Sequence, residues 1–403
     1  MYLKHLSLTN FRNFARLDMG FSNGPLLLVG ANGQGKTSLL EAIYYLATFT
    51  SFHAIHDREL VNFVAAREPL AVGRIIAQFE RGGSQSQLEI RIIKETNGIN
   101  GSSRIRKEIL LDGLKMKLGD AVGQFMAVLF LPQMVTVIEG PPEERRRFLN
   151  LAMSQVIPDF SRTLADYMQA LSQRNALLKQ LQEFGGDADQ LNYWDDLLVS
   201  KGSSLIYNRI QAVQQLARIA TPNHRDLTRG KAILRLSYQP AYDPIPETPG
   251  QISLPIDDPV DRGGLTLDEI QQGFAQRLVV QRSVDIARGV TTLGPHRDEL
   301  RFLENGIDLG IYGSRGQVRT AMLAVKIAEM TWMEEKTKHS PVLLLDEALA
   351  ELDPTRREDL LNRITSGGQT LLTTTDLDLF TAGFIGNATL WEVQDGRIEQ
   401  LSN

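Results

Sequence analysis

Gly30-Ala31-Asn32-Gly33-Gln34-Gly35-Lys36-Thr37 fits the pattern G-x-x-x-x-G-K-[ST] of a phosphate-binding P-loop. Its flanks suit that reading. The apolar run Leu26-Leu27-Leu28-Val29 predicts a buried parallel strand, and Ser38-Leu39-Leu40-Glu41-Ala42-Ile43 predicts the helix that opens after the loop. Glycines let successive backbone N–H groups turn inward around a triphosphate, and the helix N-terminus adds a favourable dipole. The segment Gly30 to Ser38 is the candidate nucleotide cradle. Lys36 would reach the β- and γ-phosphates, and the Thr37 hydroxyl would ligate magnesium. The expectation is a protein that binds ATP or GTP.

A second motif fits the first. Val342-Leu343-Leu344-Leu345-Asp346-Glu347 reads as a buried strand ending in two acids, a Walker B strand. Asp346 at the strand tip suits magnesium, usually through water, and Glu347 suits orientation or deprotonation of an attacking water. Tyr312-Gly313-Ser314-Arg315-Gly316-Gln317 precedes a predicted helix, Val318 to Lys336. A small hydroxyl and a glycine there make either a plain helix cap or a grip on the γ-phosphate of a nucleotide held by another subunit.

The 403 residues allow about two or three domains, and 42% hydrophobic content is ample for sizeable cores. With no cysteine, disulfides and thiolate metal sites are excluded, which fits a reducing cytosol. No apolar run reaches the roughly 18 residues of a membrane span. The start, Met1 to Leu8, reads as a strand and not as a signal peptide. A net charge of −5 argues against a general polycationic grip on DNA, but charge is uneven. Seven basic residues face three acids between Arg91 and Lys117, and seven face one acid between Lys201 and Arg235. Arg104, Arg106, Lys107, Arg209 and Arg218 are therefore candidate DNA contacts, with solvated faces the plain alternative.

Alternation predicts strands at Leu6 to Leu8 and Leu17 to Phe21, a hairpin from Ile75 to Lys94 turning at Gly82-Gly83-Ser84, and a strand at Ala127 to Leu131. A further strand pair flanks the turn Asn97 to Gly101. Helical spacing runs from Glu143 to Phe184 and from Ala188 to Ala220, and six prolines between Gln239 and Gly264 mark an extended connection. Thr266-Leu267-Asp268-Glu269 is a capping box that starts a helix to Arg288. Beyond Gly289, turns at Asn305-Gly306 and Asp395-Gly396 and a strand at Thr370 to Thr373 restore α/β character. The predicted fold class is α/β. A P-loop ATPase lobe is built from both chain ends, 1–136 and 290–403, with an inserted, mainly helical arm lobe at 137–289. No heptad array supports a long coiled coil.

P-loop, Ser-x-Gly-Gln, Asp346-Glu347 and Leu349-Ala350-Glu351-Leu352-Asp353 together resemble the ABC-type ATPases, with Asp353 at the D-loop position. Further segments resemble the RecF family of bacterial recombination mediators: Thr9-Asn10-Phe11-Arg12-Asn13-Phe14, Gly140 to Leu149, Leu293 to Leu300 and Gly313 to Gln317. The match runs from end to end. It implies ATP rather than GTP, with magnesium, and a homodimer closing on two ATP molecules between P-loop and signature. In that dimer Ser314, Arg315, Gly316 and Gln317 form the signature, and Ser314 and Gly316 contact the partner-bound γ-phosphate. Arg12 would lie near its own chain's nucleotide, and Gln133 would sense magnesium and water, although the family more often shows an acid after the proline. Thr373-Thr374-Thr375-Asp376 stands where transporter ATPases carry the switch histidine. Either Asp376 or a threonine hydroxyl there would hydrogen-bond the attacking water, or the segment is a structural strand end.

The resemblance also implies binding of duplex DNA or duplex–single-strand junctions in recombinational repair and replication, with slow hydrolysis releasing the clamp and recombinase loaded at gaps. Partners RecO and RecR, and a cytoplasmic, nucleoid-associated location, follow from it alone. One rival is the ATPase subunit of a membrane transporter, against which Lys36 and Gly316 lie 280 residues apart. The other is a chromosome-organising head, which would need long heptads. His296 in Pro295-His296-Arg297-Asp298 reads as part of a structural hinge rather than a metal ligand, and Arg145 to Arg147 read as a solvated helix face, with DNA phosphates as the alternative partner.

Overall fold

The computed structural model describes residues 1–96, 103–245, 260–350, 352–365 and 368–401. The predicted turn at Asn97 to Gly101, most of the proline-rich connection and Glu351 lie outside the described residues. By contacts the chain forms two units, 1–134 with 329–403, and 135–328.

The first unit holds two sheets. One is mainly parallel, in the order Arg397–Gln400, Thr389–Gln394, Pro25–Val29, Thr370–Thr374, Val342–Asp346, Ala127–Phe130, with only the outermost pair, Thr389–Gln394 and Arg397–Gln400, antiparallel. Strands buried on both faces read as unbroken apolar runs, which is why Leu26, Leu27 and Leu28 and the run Val342 to Leu345 are almost fully buried. The register pairs Val29 with Thr374, Asp346 with Thr373 and Leu345 with Phe130. Four strand ends therefore come level along one edge, the edge where open α/β sheets bind ligands.

The other sheet is antiparallel, ordered Phe14–Gly20, Tyr2–Phe11, Leu70–Arg81, Ser84–Thr96, Ser103–Leu111, Leu114–Met116. Its central hairpin turns on Gly82 and Gly83, with φ of 59° and 83°, and pairs Arg81 with Ser84. Both left-handed positions suit glycine. The P-loop helix Lys36–Thr48 is buried along most of its length, and its residues share one core with both sheets.

The second unit is built on helices Pro142–Val156, Phe160–Phe184, Asn192–Leu227 and Leu267–Arg288. The continuous helix expected from Glu143 to Phe184 is broken at Ile157-Pro158-Asp159, where Pro158 cannot continue the ladder and Asp159 turns left-handed at φ 59°. The next helix instead runs seven residues past its expected end at Ala220, through Pro222, to Leu227. At 36 residues it spans about 54 Å, far from a coiled-coil rod. The capping box at Thr266 forms as read, with Thr266 Oγ1 accepting from Glu269 N and the Glu269 carboxylate accepting from Thr266 N.

Strand Glu299–Glu304 pairs on one side with Leu234–Gln239 and on the other with Ile307–Asp308. Residues 290–328, expected in the ATPase lobe, group by contact with the second unit. The helix Arg315–Thr337 runs through the unit boundary.

Candidate nucleotide site

The loop after strand Pro25–Val29 turns through Gly33 at φ 81° and Gly35 at φ 118°, conformations that side chains rarely adopt. Two glycines are also fixed by space. A Cβ on Gly30 would meet Val393 O at 2.3 Å, and one on Gly35 would meet Asn13 Nδ2 at 2.5 Å. Neighbouring turns hold the loop. Asn13 Nδ2 donates to Gln34 O at 3.1 Å, Asp395 N donates to Gln34 Oε1 at 2.6 Å, and Gly396 N donates to Gln34 O at 3.2 Å. Ala31, Asn32 and Gly33 remain exposed on the loop, while Ser38 lies within the helix.

Lys36 opens the helix and is only 4% exposed. Its Nζ donates to Gly30 O at 2.6 Å and Ala31 O at 3.1 Å, and lies 3.3 Å from Glu347 Oε1. An ammonium carries three protons, and the two loop carbonyls and the Walker B acid are the three acceptors set around them. Thr37 Oγ1 donates to Asp346 Oδ2 at 2.9 Å. A hydroxyl and a carboxylate set side by side at a strand tip are hard oxygen donors of the kind magnesium takes together with phosphate oxygens and water. The chemistry of this donor set fits that ion. Among the described residues no group of three or more His, Cys, Asp or Glu could hold a metal without such outside ligands.

Thr373, which sequence reasoning left among several switch-region hydroxyls, joins the two acids. Its Oγ1 donates to Asp346 Oδ1 at 2.7 Å and accepts from Glu347 N at 3.0 Å. Glu347 takes a left-handed backbone at φ 49°, an uncommon state for a non-glycine residue and one found at functional sites. Asp376 does not join the cluster in this way. Its carboxylate accepts from Asp378 N at 2.9 Å and caps the turn Leu377–Leu379, and its own N–H donates to Thr374 Oγ1 at 3.0 Å. Gln133 is exposed in the turn Pro132–Val135, just past strand Ala127–Phe130, which neighbours the Walker B strand.

Arg12 stands at the turn between the first two strands with φ 50°. Its guanidinium forms a two-point pair with Glu41 on the P-loop helix, Nε to Oε2 at 2.6 Å and Nη2 to Oε1 at 2.7 Å, and Nη1 donates to Glu59 O at 3.2 Å. Ser51 Oγ also donates to Glu41. Glu41, an acid on an otherwise apolar helix face, is the signal that a partner was required. Asp353 accepts from Arg356 N at 3.1 Å and caps helix Pro354–Thr365, with proline at its first position.

In the second unit, Ser314 to Gln317 are exposed at the start of helix Arg315–Thr337. Ser314 Oγ accepts from Gln317 N at 3.4 Å, and Gln317 Oε1 accepts from Ser314 N at 2.9 Å, a reciprocal cap. The plain cap and the phosphate grip are compatible, because an accepting Ser314 oxygen still has its own proton to donate.

His296 has both ring nitrogens engaged, Nδ1 2.7 Å from the Tyr167 hydroxyl and Nε2 3.1 Å from Thr291 O. A carbonyl only accepts, so the proton sits on Nε2 and Nδ1 accepts from Tyr167. Burial pushes the imidazole pKa down to about 4. Asp298, two residues on, accepts from Arg209 Nη1 at 2.7 Å, from Ala241 N at 2.9 Å and from the Tyr238 hydroxyl.

That contact corrects one DNA candidate. Arg209 is 1% exposed and spends its guanidinium on Asp298, Pro295 O and Asn150 Oδ1, so it has no face for a phosphate. Lys107 is partly buried as well, donating to Phe49 O at 3.0 Å beside Asp57 at 3.1 Å. Arg104, Arg106 and Arg218 are exposed, and Arg106 pairs with Glu108 at 3.2 Å. Arg145 is not a solvated helix residue either. It pairs at two points with Glu299, at 2.6 and 2.8 Å, and donates to Gly140 O. Among the described residues no helix is long and apolar enough to cross a membrane.

The family model for the RecF/RecN/SMC N-terminal domain matches residues 2–389. The chain is 39% identical to the DNA replication and repair protein RecF of Chloroflexus aurantiacus, over 99% of each chain. It is 33% identical to that of Exiguobacterium, over the full length of both. Among solved structures it is similar to the recombination mediator protein RecF of the RecFOR pathway, in a form with ATPrS, at TM-score 0.82 and 28% identity over 100% of this chain and 98% of that one. An SMC head bound to the C-terminal winged-helix domain of ScpA shares the fold alone, at TM-score 0.51 and 15% identity. The family-model match over residues 2–389, with identities of 39% and 33% to curated relatives covered almost end to end, places the chain in the RecF family of DNA replication and repair proteins.

Proposed function

We propose that this chain is an ATP-driven DNA clamp of recombinational repair. In this reading ATP is held by Gly30 to Ser38, with Lys36 exchanging its contacts on Gly30 O and Ala31 O for the β- and γ-phosphates. Thr37 and Asp346 would hold magnesium, with Gln133 beside it, and the ion would neutralise phosphate charge. The observation that carries the reading is the meeting of Lys36, Thr37, Asp346, Glu347 and Thr373 within hydrogen-bond or ion-pair reach. Binding of ATP by relatives solved with ATP and ATPrS supports it.

Two copies would close on two nucleotides, with Ser314 and Gly316 of each touching the γ-phosphate on the other and Asp353 at the shared edge. The functional lobes of this reading are 1–136 with 290–403, and the arm 137–289. Glu347 orients or deprotonates the attacking water, Thr373 fixes both Walker B acids, and slow, DNA-stimulated hydrolysis opens the dimer. The energy for clamping is the higher affinity of ATP for the closed state. Exposed Arg104, Arg106 and Arg218 supply phosphate contacts, duplex DNA and duplex–single-strand junctions are the substrates, and RecO and RecR are the partners for recombinase loading at gaps.

Fluorescence anisotropy of a labelled duplex and a gapped duplex with a Glu347→Gln variant tests this directly. The reading predicts tight binding only with ATP and magnesium, and loss of it on adding Ser314→Arg. Equal binding without nucleotide would contradict it.

A further inference from the structure

The buried carboxylate of Glu304 lies outside every motif used above, yet it touches the signature. Glu304 ends strand Glu299–Glu304 and is 7% exposed. Its Oε1 accepts from Gln317 Nε2 at 2.6 Å. Its Oε2 lies 3.1 Å from Nε2 of His224, a fully buried residue near the C-terminal end of the long helix Asn192–Leu227.

We propose that Glu304, braced by His224, is the positioning residue of the signature serine, an inference that rests on reading Ser314 as a γ-phosphate contact. The logic follows the direction of each hydrogen bond. A glutamine amide can be turned either way, and only one way places its oxygen toward Ser314 N. A carboxylate accepts and never donates, so Glu304 fixes the amide with nitrogen toward itself and oxygen toward Ser314. That closes the reciprocal cap, leaves Ser314 Oγ accepting from Gln317 N, and points the serine proton outward to donate. His224 packs against the second carboxylate oxygen at 3.1 Å and so limits rotation of the first. The arrangement joins the phosphate contact to the end of a 36-residue helix, so a shift of that helix would change how well the serine is aimed.

A swap of the two side chains tests this in the full-length protein. Gln317→Glu alone keeps a side chain that caps Ser314 N and adds charge at the favourable end of a helix, so without Glu304 it would be neutral or better. Against Glu304 it sets two carboxylates in contact. Glu304→Gln alone removes the constraint on the amide. The proposal expects each single variant, in a Glu347→Gln background, to weaken ATP-dependent dimerisation about tenfold, and the double variant Glu304→Gln/Gln317→Glu to recover most of it. Mant-ATP binding to the P-loop of the monomer, read at protein concentrations too low for dimers, should be unchanged in all three, since the signature meets nucleotide only across the dimer. Amide exchange at residues 314–317, followed without nucleotide, should quicken in each single variant and slow again in the double.

Additive losses in the double variant, or unchanged exchange at 314–317, would overturn the positioning role. If the parent forms no dimer with ATP, the clamp reading fails, while the exchange pattern still decides whether Glu304 sets the cap. Thermal melts confirm that the variants are folded.

Discussion

The Thr373 hydroxyl donates to Asp346 at 2.7 Å while accepting the backbone N–H of Glu347 at 3.0 Å, so one side chain on a neighbouring strand fixes both Walker B acids. Parallel pairing of Asp346 with Thr373 puts it there. Supporting contacts of this kind typically change metal affinity or rate by about 10–100-fold when removed. Thr373→Val should lower the hydrolysis rate by that order with little change in ATP affinity, and Thr373→Ser should retain most of the rate. Single-turnover hydrolysis beside mant-ATP binding checks both.

Arg12 and Glu41 form a pair in which the carboxylate is almost fully buried. Removing the cation leaves that charge without its main partner, a change that costs about 3–5 kcal/mol in buried pairs. Arg12→Ala should therefore lower stability by that order, Arg12→Lys should recover only part because the two-point geometry is lost, and Arg12→Ala/Glu41→Gln should be milder than Arg12→Ala. Urea unfolding of the three variants measures this. Equal stability of Arg12→Ala and the parent would mean the pair does not support the loop.

Much of this was legible in the sequence. The P-loop and Walker B strand carry residue types that only a narrow backbone geometry explains, so their spacing already placed Lys36 and Asp346. Thr373 was harder, since a β-branched residue in a buried strand reads first as a strand former. Arg209 counted toward a basic surface because charge tallies cannot see Asp298, 89 residues further on. Pro158 breaks the helix that spacing alone carries from Glu143 to Phe184, whereas Pro222 lies inside a continuing helix, where packing outweighs the missing hydrogen bond.

His296 gives a pH signature. Its folded pKa of about 4 lies below the ordinary 6.5, so the unfolded chain takes up the proton first. The stabilisation is fully present above pH 6.5 and is lost as pH falls toward 4, on the order of 2–3 kcal/mol across that window. His296→Gln, whose amide can still donate to Thr291 O, should flatten this part of the stability profile. Unfolding at pH 7 and pH 4.5 compares the slopes, and an unchanged slope would assign the acid sensitivity elsewhere.

Arg209 and the exposed pair Arg104 and Arg106 should separate cleanly. Arg209→Ala leaves Asp298 buried and should cost about 3–5 kcal/mol of stability. Arg104→Glu/Arg106→Glu should leave stability nearly unchanged, weaken ATP-dependent DNA binding, and reduce the slope of log affinity against log salt by about one per lost phosphate contact. Salt titrations of DNA binding distinguish the two classes.

In the proposed clamp each nucleotide site is completed by a second copy of the chain. Sedimentation of the Glu347→Gln protein with ATP and magnesium, beside Glu347→Gln/Ser314→Arg, tests it most directly. A dimer is expected that forms only with ATP and disappears with the Ser314 change while mant-ATP still binds. A monomer in both proteins, or a dimer indifferent to ATP and to Ser314, would contradict it.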